Sequence, residues 1–204
     1  MTLEAGFRFT PGPRFSLETS VFTTDVTSDL VPFQVASDPG RVFYRNSGRS
    51  EYGGLEASLD AELFPDGTLR LAYTRTNARY VSFRPGGVNY SGNRIPGVAP
   101  RSVDGIFAWA PGLAFVELRG LWRQPIPVDD GDTTRAPPYF VMDLAAGLDG
   151  DALGNTQVSA FVRVSNLSDG YYIASVVPNA FGSRFFEPGP GRTFSLGLAL
   201  SWGY

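Results

Sequence analysis

Thr193-Phe194-Ser195-Leu196-Gly197-Leu198-Ala199-Leu200-Ser201-Trp202-Gly203-Tyr204 alternates without a slip: the even-numbered residues are large and apolar, and those between them are small or polar. A period of two sends the two sets to opposite faces of one strand. At about 3.3 Å per residue this strand is about 35 Å long, and at a tilt of about 45° it crosses about 25 Å, the height of the apolar band of an outer-membrane barrel. One face is greasy from rim to rim, and the chain ends on an aromatic residue. The stretch reads as a lipid-facing strand.

The same alternation runs back along the chain. Leu55, Ala57, Leu59, Ala61 and Leu63 oppose Glu56, Ser58, Asp60 and Glu62; Leu3, Ala5, Phe7 and Phe9 oppose Glu4 and Arg8; Phe15, Leu17 and Val21 oppose Ser16, Glu18 and Ser20. Leu69, Leu71 and Tyr73 oppose Arg70 and Thr74, and Val103, Phe107 and Trp109 oppose Ser102 and Asp104. Ala114, Val116, Leu118 and Trp122 oppose Glu117, Arg119 and Arg123, while Phe140, Met142, Leu144, Ala146 and Leu148 oppose Asp143. Val158, Ala160, Val162 and Val164 oppose Gln157, Ser159, Arg163 and Ser165, with Phe161 out of step. The pattern predicts about nine strands, over 2–9, 15–30, 42–63, 68–82, 101–110, 113–123, 139–149, 156–166 and 192–204.

The connections have two kinds. Thr10-Pro11-Gly12-Pro13-Arg14, Phe64-Pro65-Asp66-Gly67, Pro111-Gly112 and the polar run Asp149 to Asn155 are turn signals. Between them come long segments rich in Pro, Gly, Asp and Asn, over 31–41, 83–100, 124–138 and 167–191. Consecutive antiparallel strands put alternate connections at opposite ends, so the short turns share one end and the long loops the other, as in outer-membrane barrels. A soluble β-sandwich binding module would alternate too, with its apolar face inward. Strands of about ten residues or more, where globular ones average about 5–6, favour the barrel. So do the one-sided loops and the aromatics at strand ends: Phe9, Phe15, Phe64, Trp109, Trp122 and Tyr139.

Composition narrows the function classes. The 24 Gly, 16 Pro and 14% aromatic content suit short strands and turns. No apolar run of about 18 residues could form a membrane-spanning helix. A net charge of −3 without any basic run speaks against a nucleic-acid partner. Cys and His are absent, which removes disulfides, thiolate nucleophiles, imidazole bases and the usual zinc and haem ligands. Every cation is arginine. Glu56 and Asp60 lie four residues apart on one strand face, about 13 Å, wider than the carboxyl separations of glycosidases, about 5–9.5 Å. Such charges read as a hydrated wall braced by arginine–carboxylate pairs, and Glu117, Arg119, Asp143 and Arg163 belong to it. Asp129-Asp130-Gly131-Asp132 and Asp149-Gly150-Asp151 are solvated acidic turns rather than a twelve-residue calcium loop. No enzymatic activity is expected, and no catalytic, cofactor-binding or metal-ligating residue is assigned. In the loops, Phe83, Tyr90, Tyr171, Tyr172, Phe181, Phe185 and Phe186 with Arg84, Arg94 and Arg184 suit an anionic or aromatic ligand, or else pack the loops together.

Four strings then carry a family resemblance. Tyr44-Arg45-Asn46-Ser47-Gly48 followed by Gly54-Leu55-Glu56, Gly92-Asn93-Arg94-Ile95-Pro96-Gly97-Val98-Ala99-Pro100-Arg101, Asn166-Leu167-Ser168-Asp169-Gly170-Tyr171-Tyr172, and Pro188-Gly189-Pro190-Gly191-Arg192 follow one another in order. With the strands between them, they resemble the carboxy-terminal half of a TonB-dependent outer-membrane receptor. The resemblance implies an all-β, antiparallel up-and-down transmembrane β-barrel, of which residues 1–204 would be a single partial domain. About nine strands would form the end of a barrel of about 22. The plug domain, the TonB box that engages TonB, and the earlier strands are absent from these residues. Met1-Thr2-Leu3-Glu4-Ala5 lacks the basic and apolar regions of a signal peptide. The implied setting is the outer membrane of a Gram-negative cell, with lipid and the barrel-assembly machinery as partners and a scarce nutrient such as a siderophore as cargo. The alternatives are a small self-contained barrel with a structural or adhesion role and the soluble sandwich.

Overall fold

The computed structural model describes residues 1–153 and 156–202. The terminal Gly203 and Tyr204, and the Gly154-Asn155 part of the last short turn, lie outside the described residues. In chain order the strands are β1 (Thr2–Gly12), β2 (Phe15–Thr27), β3 (Leu30–Val35), β4 (Asp38–Asn46), β5 (Arg49–Phe64), β6 (Gly67–Ser82), β7 (Arg101–Trp109) and β8 (Ala114–Arg123). They continue as β9 (Ile126–Pro127), β10 (Arg135–Ala136), β11 (Tyr139–Leu153), β12 (Thr156–Ser165), β13 (Ile173–Val176), β14 (Phe186–Pro188) and β15 (Thr193–Trp202). Nine of them form one sheet in the order β1-β2-β5-β6-β7-β8-β11-β12-β15. The other six pair off as short hairpins within the long loops: β3 with β4, β9 with β10, and β13 with β14.

Every neighbouring pair in the large sheet is antiparallel, and the register carries one face across it. Phe9, Leu17, Leu59, Leu71, Gly105, Gly120 and Met142 stand in a single lateral row. One residue over, on the other face, the row reads Arg8, Glu18, Ser58, Ala72, Asp104, Leu121 and Val141. A slip of one residue at any pairing would have mixed these rows. The polar face is the concave one: a hollow of about 560 Å³ lies over Glu4, Arg8, Glu18, Ser20, Glu56 and Thr74. On the other face Leu196 is 80% and Leu198 73% exposed, and among the described residues no second layer lies over them. A sandwich would have buried that face.

Aromatics bound this outward band on both sides. Near the short turns Phe9, Phe15, Phe64, Trp109 and Trp202 share it, with Phe9 and Phe15 edge to face at 6.3 Å and Phe64 against Phe107 at 6.2 Å. Near the loops stand Tyr73, Trp122, Phe140 and Phe194. The eight residue steps from Phe194 to Trp202 make about 26 Å of strand, or about 20 Å of height at the usual tilt. Tyr139 departs from the expected rim: it pairs with Arg123 and so points inward, where its ring packs on Tyr172 at 5.2 Å.

Two strands expected as continuous are broken. The segment 42–63 divides at Ser47-Gly48, and 15–30 stops at Thr27. Gly48 has φ +87° and Ser28 φ +62°, so both chains turn out of the wall there, and a Cβ on Gly48 would sit 2.6 Å from the Ser82 carbonyl oxygen. Val42, Phe43 and Tyr44 give β4 a strand-like apolar content that leads into β5, which is why the sequence reads as one strand there. Phe161 is out of step for a packing reason. It faces Gly147 and Gly197 on the concave side, where its ring fills the space that a Cβ on Gly197 would need.

Candidate functional site

Apart from Ala145, the buried apolar residues gather at the loop end of the wall. Val31, Ala78, Tyr80, Phe83 and Ile95 form one cluster with Tyr52, Tyr90 and Val98 around it. Val128, Ala136 and Ile173 form another, backed by Ile126, Val176 and Phe185. Each cluster draws on more than one loop, so no loop folds onto the wall by itself.

One carboxylate joins all four. Asp130 is 3% exposed. Arg45 of the first long loop donates to its Oδ2 at 2.6 Å; the Tyr80 hydroxyl at the top of β6 donates to Oδ1 at 2.8 Å; Asn179 of the last loop donates to Oδ1 at 2.9 Å. Asn93 donates to the Asp130 carbonyl at 2.9 Å, and the Asp130 N–H returns to Asn179 Oδ1 at 3.0 Å. Asn179 then donates to the Pro32 carbonyl at 3.0 Å, closing the ring onto the first loop. Arg45 lies over the rings of Phe33 and Phe83 at 4.9 and 5.3 Å, so the cation is held by π faces as well as by the carboxylate. A buried charge is tolerable here because it is paired and multiply hydrogen-bonded.

The other acidic side chains of this loop serve its backbone. Asp129 accepts from the Thr133 and Thr134 N–H groups at 3.1 and 2.7 Å and from the Thr133 hydroxyl at 3.1 Å, and Asp132 pairs with Arg135 at 2.8 Å. Partial burial alone would push the Asp129 carboxyl up, but those donors outweigh it and hold the group below its ordinary value. Among the described residues no cluster of acidic side chains is arranged around a common metal position.

The loop aromatics divide between packing and exposure. Phe83 is buried between Tyr80 and Tyr90, at 4.5 and 5.8 Å; Phe185 backs the second cluster; Tyr172 covers Gly189. Arg84 donates to Asn89 Oδ1 at 3.3 Å. Tyr171 (77% exposed), Phe181, Phe186 and Arg184 remain open to solvent at the last loop. Sequence reasoning singled out these rings but missed Asp130, Asn179 and Arg45. An acidic turn motif gives no sign that one of its carboxylates will be a buried hub.

The concave wall has the expected ion pairs across strands, Arg8–Glu18 at 2.8 Å, Arg70–Asp60 at 3.1 Å and, nearer the loops, Arg123–Asp104 at 3.0 Å, and Arg14 of the β1–β2 turn pairs with Glu62 at 3.4 Å. Asp143 lies opposite Arg119 in the register and accepts the Asn166 N–H at 2.9 Å.

The family model for the β-barrel of TonB-dependent receptor-like proteins matches residues 1–167. The chain belongs to this family. Among curated proteins this receptor segment is similar to the ferrioxamine B receptor of Salmonella typhimurium, 26% identical over 98% of the chain and 28% of the relative. Its fold matches the unliganded ferric citrate transporter FecA with a TM-score of 0.77 at 17% identity, over 98% of this chain and 31% of that one. It also matches the siderophore receptor PiuA of Acinetobacter baumannii with a TM-score of 0.74 at 21% identity, over 97% and 28%. The segment thus spans little more than a quarter of the relatives it resembles. The strings that carry the resemblance have physical roles in it. Gly54 gives room to the Phe22 ring, Asn93 and Ile95 join the buried loop core, and Gly97 abuts Pro178. Asn166, at φ +51°, donates to the Gly170 and Pro190 carbonyls at 2.9 and 3.1 Å and so fixes both ends of the last loop.

Proposed function

We propose that residues 1–204 are the carboxy-terminal part of a receptor barrel whose plug domain, TonB box and earlier strands lie elsewhere in the same polypeptide. The parent takes up a scarce nutrient, such as a ferric siderophore, across the outer membrane with energy relayed through TonB. The observation that carries this reading is a single nine-stranded wall, greasy outside and ion-paired on its concave side, that covers 28% of the ferrioxamine B receptor of Salmonella typhimurium. In it the outward face contacts lipid, the barrel-assembly machinery inserts the wall, and the concave charges face the plug. The tied loop end presents the ligand-binding surface, with Tyr171, Phe181, Arg184 and Phe186 as its open contacts. Cells whose only receptor contains these strands should accumulate radiolabelled iron from at least one of a hydroxamate, a catecholate or a citrate chelate, and only when TonB is present. Uptake of none of them, or equal uptake without TonB, would overturn the transport reading.

A further inference from the structure

We propose that Arg75, Arg79, Arg94 and Arg101 form an external site for the phosphate groups of a glycolipid in the outer leaflet. Arg75 stands directly opposite Arg101 across β6 and β7, and Arg79 directly opposite Arg94 at an isolated bridge. Like charges in such positions repel, and a sheet keeps them only where an anion or water offsets the repulsion. All four line one hollow of about 290 Å³. Among the described residues none of them makes an ion pair, although seven other arginines do. Arg79 donates to Asn77 Oδ1 and to the Gly92 carbonyl, both at 3.0 Å, which holds its guanidinium in place with further N–H groups free. The one carboxylate in register with the group is Glu51, opposite Arg79 on the β5 side, and it does not line the hollow.

The site's height and face decide what fills it. By register Arg75 shares the outward face with Leu55, Leu71 and Tyr73, not the concave face that a transported ligand would touch. Arg75 and Arg101 each lie two residues beyond Tyr73 and Val103 toward the loops, about 7 Å of strand and so about 5 Å of height above the aromatic belt. In a bilayer that is headgroup level, while Leu71 and Phe107 below offer a surface for acyl chains. Guanidinium pairs bind phosphate bidentately. A ligand with phosphates at one end and hydrocarbon at the other satisfies both parts of the surface; free phosphate satisfies one. The inference rests on the outward face being the lipid face, and not on what the receptor transports.

The test uses the complete receptor polypeptide in detergent micelles, with bisphosphorylated lipid A, its dephosphorylated form and inorganic phosphate as probes, read by native mass spectrometry. Lipid A should bind, the dephosphorylated form should bind about tenfold more weakly or worse, and millimolar inorganic phosphate should not displace it. Arg75→Gln with Arg101→Gln should weaken lipid A about tenfold, whereas Arg8→Gln with Arg70→Gln, which removes equal charge from the concave face, should not. If the first double variant fails to fold, Arg79→Gln with Arg94→Gln takes its place. Unchanged lipid A binding in the outward variants, or equal retention of the dephosphorylated lipid, overturns the site. A lipid-soluble photolabel that misses Leu71 and Phe107 in vesicles would instead overturn the lipid-face reading beneath it.

Discussion

The wall and the loop end use the same kinds of residue in opposite ways. In the wall, leucines stand out from the sheet, Leu196 80% exposed, and the charged pairs across the concave face are open as well, Arg70 and Asp60 at 73% and 59%. At the loop end Tyr80 is 1% and Phe83 2% exposed, and the central carboxylate is buried. Backbone ladders hold the wall, since each strand is paired along its length before any side chain is considered. The loops have only short ladders and rely on side chains that meet across 85 and 147 positions of sequence. A substitution in the wall is therefore felt through the solvent on its face, whereas one at the loop end is felt through the partners left behind.

Removing Asp130 should show this most strongly. Asp130→Ala leaves Arg45 without its counter-ion, Tyr80 without its acceptor and Asn179 with only the Pro32 carbonyl to accept from it. Breaking a buried pair in this way costs about 3–5 kcal/mol. Hydrogen exchange should rise across residues 28–48, 83–100, 124–138 and 166–192 together, while β11, β12 and β15 keep their protection. If only 124–138 loosens, Asp130 is a local contact and the four loops are independent.

Adjacent positions in β15 sharpen the contrast from the other side. Leu198 faces outward beside Ala160, and Ala199 faces the concave side beside Ser159. Leu198→Arg should lower the stability of the receptor in phospholipid vesicles by about 2–4 kcal/mol, as arginine does at mid-bilayer, and Ala199→Arg should change it by less than about 1 kcal/mol. Urea titration of the folded protein reads both. Equal costs would mean that the two faces see the same medium.

The difference also explains what the sequence could disclose. Outward and inward rows were legible because they follow a period of two that any lipid-facing strand must keep, and Leu55 to Leu63 shows it without help from a partner. The break at Ser47-Gly48 was not legible: the apolar residues Val42, Phe43 and Tyr44 of β4 lead into the alternating run of β5, and only the positive φ of Gly48 and the crowding by Ser82 turn the chain away. Asp130 was hidden for a different reason. Asp129, Asp130 and Asp132 are equivalent as letters, and their roles as turn cap, hub and surface pair depend on Arg45, Tyr80 and Asn179 arriving from elsewhere.

A smaller effect separates two carboxylates of that same turn. Asp129 is held below its ordinary value of 3.8 by the Thr133 and Thr134 donors. A depressed folded-state value means the group stabilises the loop above its unfolded value and loses that contribution as pH falls through the folded one. Protease sensitivity of residues 124–138 should therefore rise as the pH is taken below 3.8. In Asp129→Asn that part of the rise should disappear, because the amide keeps one acceptor oxygen at every pH.

The smallest expected effect is in the wall, at the Arg70–Asp60 pair. Its 3.1 Å separation looks like that of the Arg45–Asp130 pair at 2.6 Å, yet its side chains keep most of their water. Water screens the attraction and already solvates each charge, so Arg70→Gln strands nothing and should cost less than about 0.5 kcal/mol. The loss should shrink further in about 1 M salt, where the screening length is about 3 Å. Reconstituting the complete barrel gives the comparison its sharpest form. If the plug covers this face, Arg70 and Asp60 lose water to it, and the same substitution should become several times more costly in the plugged receptor than in the wall without its plug. A cost that stays equally small in both would mean that the plug leaves a wetted gap beside β5 and β6, and that the charges there serve hydration of the lumen rather than plug docking.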